Sequence, residues 1–333
     1  MISKRILKVL VTGVIMGTVI LGGCGKTATT SNDKKVSKIG ITQIIEHESL
    51  DAARKGFIDA LEKNGYKDGE NIQIDFKNAQ GDMPVAQTIA QGFVSDKKDL
   101  ILAIATPTAQ AAYNATKDIP ILITAVTDPV KAGLIKSVEK SGTNVAGTTD
   151  AAPIDKQFEL LKKLVPNAKK VGILYNTSEV NSEAEVERAK KIAPEYGLEI
   201  ITKGVTNVNE ITQALDALND KIDVLYAPAD NVVASSMPII TAKCTEKNIP
   251  IIGAVVAEVE GGALATEGID YYKLGYQTGE NAVEILKGKN PKDMAVTTLQ
   301  DTELVINMDM ANKLKINIPE DLIKKAKIIG GSK

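Results

Sequence analysis

A single histidine, His47, limits the chemistry open to this chain of 333 residues. The sequence provides no recognisable Ser-His-Asp or Cys-His set around it, and a metal site needing two histidines is excluded. Of the two cysteines, Cys24 ends an apolar N-terminal run. That leaves Cys244, read as a buried helix residue, too little for a zinc site built on several cysteines. There is no G-x-x-x-x-G-K-[ST], and no G-x-G-x-x-G follows a strand-like run, so neither a nucleotide cradle nor any cofactor is expected. What remains is binding chemistry. Hydroxyls, amides and carboxylates recur just after strand-like runs: Glu46-His47-Glu48-Ser49, Thr106-Pro107-Thr108, Thr127-Asp128-Pro129, Tyr175-Asn176, Asp230-Asn231 and the stretch from Ala254 to Glu258. In open parallel sheets ligands sit beyond the carboxyl ends of strands, so these are the candidate contacts.

Each candidate also has a plain structural reading. His47 could be a solvated residue held by its flanking glutamates, although its place on the rim favours ligand contact. Thr106 and Thr108 could equally cap a helix. Asp128 precedes Pro129 in a common turn arrangement. Asp230 caps a helix in either case, Tyr175 could be core, and packing is the safer role for Tyr271-Tyr272.

The elements that must position these residues alternate almost without break. Lys38–Ile45 reads as a buried strand. Ser49 then caps a helix whose apolar face is Leu50, Ala53, Phe57, Ala60 and Leu61, ended by Asn64-Gly65. Strands over 71–76, 100–105 and 121–125 follow, with helices over 84–94 and 107–115 between them. The pattern restarts near Thr148, with helices over 154–164, 183–196, 208–218 and 232–248 and strands over 170–175, 200–202, 222–226, 250–252 and 263–266. A helix over 272–287 and a strand over 303–306 remain. The expected fold is α/β, two similar Rossmann-like lobes with parallel sheets joined by a multi-strand hinge. The lobes are read as residues 36–147 with 268–300, and 148–267 with 301–333.

The first residues bear on location. Lys4, Arg5 and Lys8 precede an uncharged, mostly apolar run to Gly23, too short for a permanent span. It ends in Leu21-Gly22-Gly23-Cys24, which resembles a bacterial lipoprotein box. Residues 1–23 are thus expected to be a signal peptide, Cys24 the acylated N-terminus, and residues 24–35 a flexible tether holding the protein outside the cytoplasm on a membrane. Charge is balanced, 40 Lys and Arg against 42 Asp and Glu, with no basic stripe for nucleic acid.

Several stretches together resemble the ABC substrate-binding protein family often associated with tryptophan and other aromatic amino acids. They are EHESLDAARKGF (46–57), NAQGD (78–82), LILAIATPTAQAA (100–112), TAVTDPV (124–130), GILYN (172–176), YAPADNVVASS (226–236), GGALATEGIDYYKLGYQTG (261–279) and LVIN (304–307). The resemblance implies the type I periplasmic-binding-protein fold, a small ligand closed between two lobes, and delivery to a membrane ABC permease driven by a separate ATPase. An amino-acid-like ligand with an aromatic or large apolar side chain is expected. Thr106, Thr108 and Thr127 would hold its carboxylate and Asp230 or Asp128 its ammonium. His47 and Tyr175 would flank the side chain, and Val255 and Val256 would line its far end. The run Gly253–Ala257 is apolar where family members carry a polar stretch, which points to a greasier wall. A monomer is expected. A ligand-sensing module, an importer of a sugar or nucleoside, and an extracytoplasmic enzyme are the rival readings, the last opposed by the single histidine.

Overall fold

The computed structural model describes residues 36–299 and 301–331. The leader, Cys24 and the tether lie outside these residues. The chain begins with β1 (Ser37–Gln43), α1 (Glu48–Lys63), β2 (Ile72–Asn78), α2 (Met83–Ser95), β3 (Leu100–Ile104), α3 (Thr106–Ala115), β4 (Ile121–Thr124) and β5 (Val145–Thr148). The second series is α4 (Ile154–Leu164), β6 (Lys170–Asn176), α5 (Val180–Ile192), β7 (Glu199–Val205), α6 (Ile211–Asn219), β8 (Val224–Ala227), α7 (Asn231–Ser235), α8 (Met237–Glu246), β9 (Ile251–Gly253), α9 (Val256–Glu260) and β10 (Ala265–Gly268). Last come α10 (Tyr271–Leu286), β11 (Val296–Thr297), β12 (Glu303–Asn307), α11 (Met308–Leu314), α12 (Glu320–Ile323) and β13 (Lys327–Ile329).

Two sheets result. The first is six-stranded in the order β11-β5-β4-β3-β1-β2 and parallel throughout. The second is seven-stranded in the order β13-β12-β10-β9-β8-β6-β7, parallel except where β12 runs against β10. The composition of the strands explains their places. β3 and β4 are short apolar runs buried on both faces, as interior parallel strands must be. β2 and β7 expose residues along their length and lie at the sheet edges.

The chain passes between the sheets three times, from β5 to α4, from β10 to α10 and from β11 to β12. After the second passage α10 returns to the first lobe and packs along α1. Their backbones approach closely because a Cβ at Gly275 would overlap the carbonyl of Ala53, and one at Gly56 that of Tyr272.

The structure departs from the sequence expectation at several points, the unforeseen helices α11 and α12 among them. The N-cap of α1 is His47, whereas Ser49 lies inside the first turn and is buried. The helix expected over 232–248 is broken at Ser236, because Pro238 cannot donate the N–H that a continuous helix needs. Strands β5, β11 and β13 were not foreseen. Nor was α9, whose first two residues, Val256 and Ala257, fall in the run read as apolar.

Candidate functional site in the cleft between the sheets

The carboxyl ends of the two sheets face one another across a narrow cleft whose enclosed space is about 20 Å³. The first lobe supplies His47, Ser49 and Leu50 from the start of α1, and Ala125 just beyond β4. The second lobe supplies Asn181, Ala229, Asp230, Asn231, Ala234, Val255 and Glu258. Asp150 and Tyr271 come from the passages between lobes. A wider recess opens outward past Glu46, Glu48, Ser235 and Met237, sharing His47, Ser49, Ala234 and Glu258 with the inner cleft.

The backbone around this cleft is unusual. Ala125 and Ala105, at the ends of β4 and β3, have φ of 56° and 82°, values that cost a residue with a Cβ about 1 kcal/mol or more. α1 begins with no side-chain cap, so its first-turn N–H groups and positive end face the cleft around Ser49 and Leu50.

The electrostatics are one-sided. Among the described residues no lysine or arginine lines the cleft, yet Asp150, Asp230 and Glu258 do, each no more than 3% exposed. Burial raises all three carboxyls above their ordinary range, Glu258 most of all. Behind them Glu185 is pushed up to about 7 by burial, although it accepts hydrogen bonds from the Tyr226 hydroxyl (2.8 Å) and the Ala229 N–H (3.2 Å). Glu179 also rises to about 7, first from burial and then from the charge of Asp230. Burial lowers His47 to about 4, against the raising effect of Asn231, whose Oδ1 lies 3.4 Å from Nε2 across the cleft.

Buried polar atoms in native proteins are nearly always paired, so unpaired ones identify places awaiting a partner. Four cleft residues carry such atoms: His47 Nδ1, Asp150 Oδ1, Asn181 Oδ1 and Glu258 Oε1.

Residues 38–329 match the family described as ABC transporter substrate binding protein. The chain belongs to that family. It is 54% identical over 334 residues to a tyrosine-binding protein of Clostridioides difficile, covering 98% of this chain and 96% of that one. Two solved structures are informative together. An ABC domain from Streptococcus pneumonia in complex with L-Trp is 40% identical, with a TM-score of 0.86 over 88% of this chain and 99% of its own. The ligand-free, open structure of a substrate-binding protein with adhesive properties from Clostridium difficile is 56% identical over the same shares, yet its TM-score is 0.68. The TM-score is thus higher against the Trp complex than against the ligand-free, open structure, against the order of sequence similarity. The fold is that of type I periplasmic-binding-protein-like structures.

Within this substrate-binding fold, His47, Asp230, Asn231 and Val255 reach the cleft as the sequence led one to expect. The others do not line it. Thr108 Oγ1 donates to the carbonyls of Ile104 (2.6 Å) and Ala105 (3.0 Å), committing it to the backbone. Thr106 and Pro107 are buried in the first turn of α3, Thr106 with its hydroxyl unpaired. Thr127 offers its carbonyl to Thr149 Oγ1, and Asp128 caps the turn at Lys131 N–H. Tyr175 packs against the core. Asn176 donates its N–H to Asp230 Oδ2 (2.6 Å), and Val256 faces a separate recess beside Ile269 and Tyr272.

Asp230 also serves a structural end. Its Oδ1 accepts from Val232 and Val233 N–H at the start of α7, so both oxygens are engaged within its own lobe. The free carboxylate oxygens belong instead to Asp150, which the sequence does not single out, and to Glu258, the last residue of the rim stretch that begins at Ala254. Glu258 answers the expectation of a greasy wall. It folds back so that its Oε2 accepts from Ala254 and Val255 N–H, placing a carboxylate behind the apolar run.

Proposed function

We propose that this substrate-binding protein captures an aromatic amino acid between its lobes and delivers it to a membrane ABC permease. The observation that carries the reading is a closed cleft with unpaired carboxylate oxygens and no cationic side chain lining it. A buried charge without a partner is strongly unfavourable, and a ligand ammonium is the group that relieves it. The ammonium is assigned to Asp150, with Glu258 behind it. The carboxylate is assigned to the uncapped start of α1, where backbone N–H groups and the helix dipole favour an anion. The tyrosine-binding relative and the Trp complex support this ligand class.

Family membership implies an extracytoplasmic protein, and among the described residues no helix is long and apolar enough to cross a membrane. Attachment through acylated Cys24, after removal of residues 1–23, is the proposed means of retention, with residues 24–35 as tether. The two lobes are proposed as 36–147 with 268–300 and 148–267 with 301–333, working as a monomer.

Thermal unfolding of the soluble part against amino acids, sugars and nucleosides tests the reading. A ligand at about 100 times its dissociation constant adds about 2.7 kcal/mol to stability. Shifts confined to aromatic amino acids support it, whereas a shift with a sugar or nucleoside alone discards it.

A further inference from the structure

The amides around Glu179 are held in one orientation. Its carboxylate accepts from Asn231 Nδ2 at 2.5 Å and from Asn176 Nδ2 at 3.0 Å, while Asn181 Nδ2 donates to Ser182 Oγ at 3.3 Å. Two NH₂ groups aimed at one carboxylate turn two amide oxygens away from it, since a flipped amide would set oxygen against oxygen, and the Asn181 amide is turned by its bond to Ser182. The Asn176 oxygen accepts from Ser178 N–H (2.9 Å), and the Asn231 oxygen meets His47 Nε2. The Asn181 oxygen is buried in the cleft lining with no donor.

The same orientation fixes the histidine. An acceptor opposite Nε2 requires the proton there, and burial keeps the ring neutral, so Nδ1 is left as a bare lone pair. It too is buried and unpaired. One corner of the cleft thus presents two neutral acceptors, while the carboxyl groups of Asp150 and Glu258 lie on a hinge passage and on α9. An amino acid's ammonium is drawn to that carboxyl pair, whose ionised form it stabilises. The neutral corner is left wanting a neutral donor.

We infer that Asn181 and His47 form a subsite for a ring O–H or N–H on the ligand, so that the cleft takes tyrosine or tryptophan and rejects phenylalanine. The inference rests on the amino-acid reading of the cleft. Phenylalanine would bury both acceptors with nothing to satisfy them, and sites built to hydrogen-bond a hydroxyl reject analogues lacking it strongly. Glu179 acts through the amides as a positioning residue.

Calorimetric titration of the protein with L-tyrosine, L-tryptophan and L-phenylalanine tests this in the wild type, in Asn181→Ala and in Glu179→Gln. The wild type is expected to favour tyrosine or tryptophan over phenylalanine by about 30-fold or more. That ratio is expected to fall about tenfold in Asn181→Ala, and also in Glu179→Gln, which keeps the side-chain shape and decides the matter should the first variant not fold. A wild-type ratio near one overturns the subsite, as does a ratio unchanged in a folded variant that still binds aromatic amino acids. Absence of binding by all three amino acids, with another solute bound, overturns the amino-acid reading and the subsite with it.

Discussion

The hydroxyl of Tyr271 donates a hydrogen bond to Asp150 Oδ2, joining two of the three passages between the lobes. Asp150 follows β5 and Tyr271 opens α10, so the pair lies where the lobes must bend to open or close. Both groups are buried, and burial raises the pKa of each. The second carboxylate oxygen of Asp150 is unpaired. A ligand cation there would contact the hinge itself, which gives closure a direct energetic link to binding.

Replacing Asp150 by asparagine keeps the shape and removes the charge. Truncating one member of a buried charge pair costs about 2–5 kcal/mol, so aromatic amino-acid affinity is expected to fall at least about 30-fold in Asp150→Asn. Tyr271→Phe removes only a neutral donor, and a smaller loss of about tenfold is expected. Titration calorimetry checks both, and equal affinities for wild type and Asp150→Asn would remove Asp150 from the site.

Buried carboxyls set the pH response of the unliganded protein. Glu179 and Glu185 are held near 7, above an ordinary 4.5, so the folded state favours their protonated forms. Their contribution is full below about 4.5 and is lost as pH rises through about 7. His47 works oppositely: lowered from 6.5 to about 4, it contributes above 6.5 and loses that contribution as pH falls towards 4. Between pH 6.5 and 8 the carboxyl effect therefore dominates, and the melting midpoint is expected to fall with rising pH. Glu185→Gln is expected to flatten that decline in a calorimetric series, and an equal slope in the variant would contradict the assignment.

The pairing of α1 with α10 depends on glycine. In Gly275→Ala the new methyl group has no room against the Ala53 backbone, and the helices must separate. Overpacking of this kind costs about 1–3 kcal/mol. Urea unfolding is expected to show that loss, together with weaker ligand binding, because α1 carries His47 and Ser49 into the cleft. Gly92, whose Cβ would meet open space within α2, serves as control and should gain slightly as alanine.

The alternation of strand and helix was legible because β3, β4 and β8 are short buried apolar runs, with β3 and β8 each leading into a helix. His47, Asp230 and Asn231 were found by reading the residues just beyond each strand end. Asp150, Asn181 and Tyr271 escaped that rule for a physical reason: they sit on interlobe passages or within the first turn of a helix, where only the three-dimensional closure brings them together. Asp230 looked like a cation partner in sequence, but its two oxygens are engaged by backbone N–H groups. The short β11 and β13 have only two and three residues, too few to show any period.

A crystal structure of the soluble part grown with L-tyrosine tests the central claim most directly. The account predicts the amino acid enclosed between the two sheets, its ammonium within hydrogen-bond reach of Asp150 Oδ1 and its carboxylate at the start of α1. Tyrosine bound elsewhere, or in this cleft with its ammonium away from Asp150 and Glu258, would contradict it.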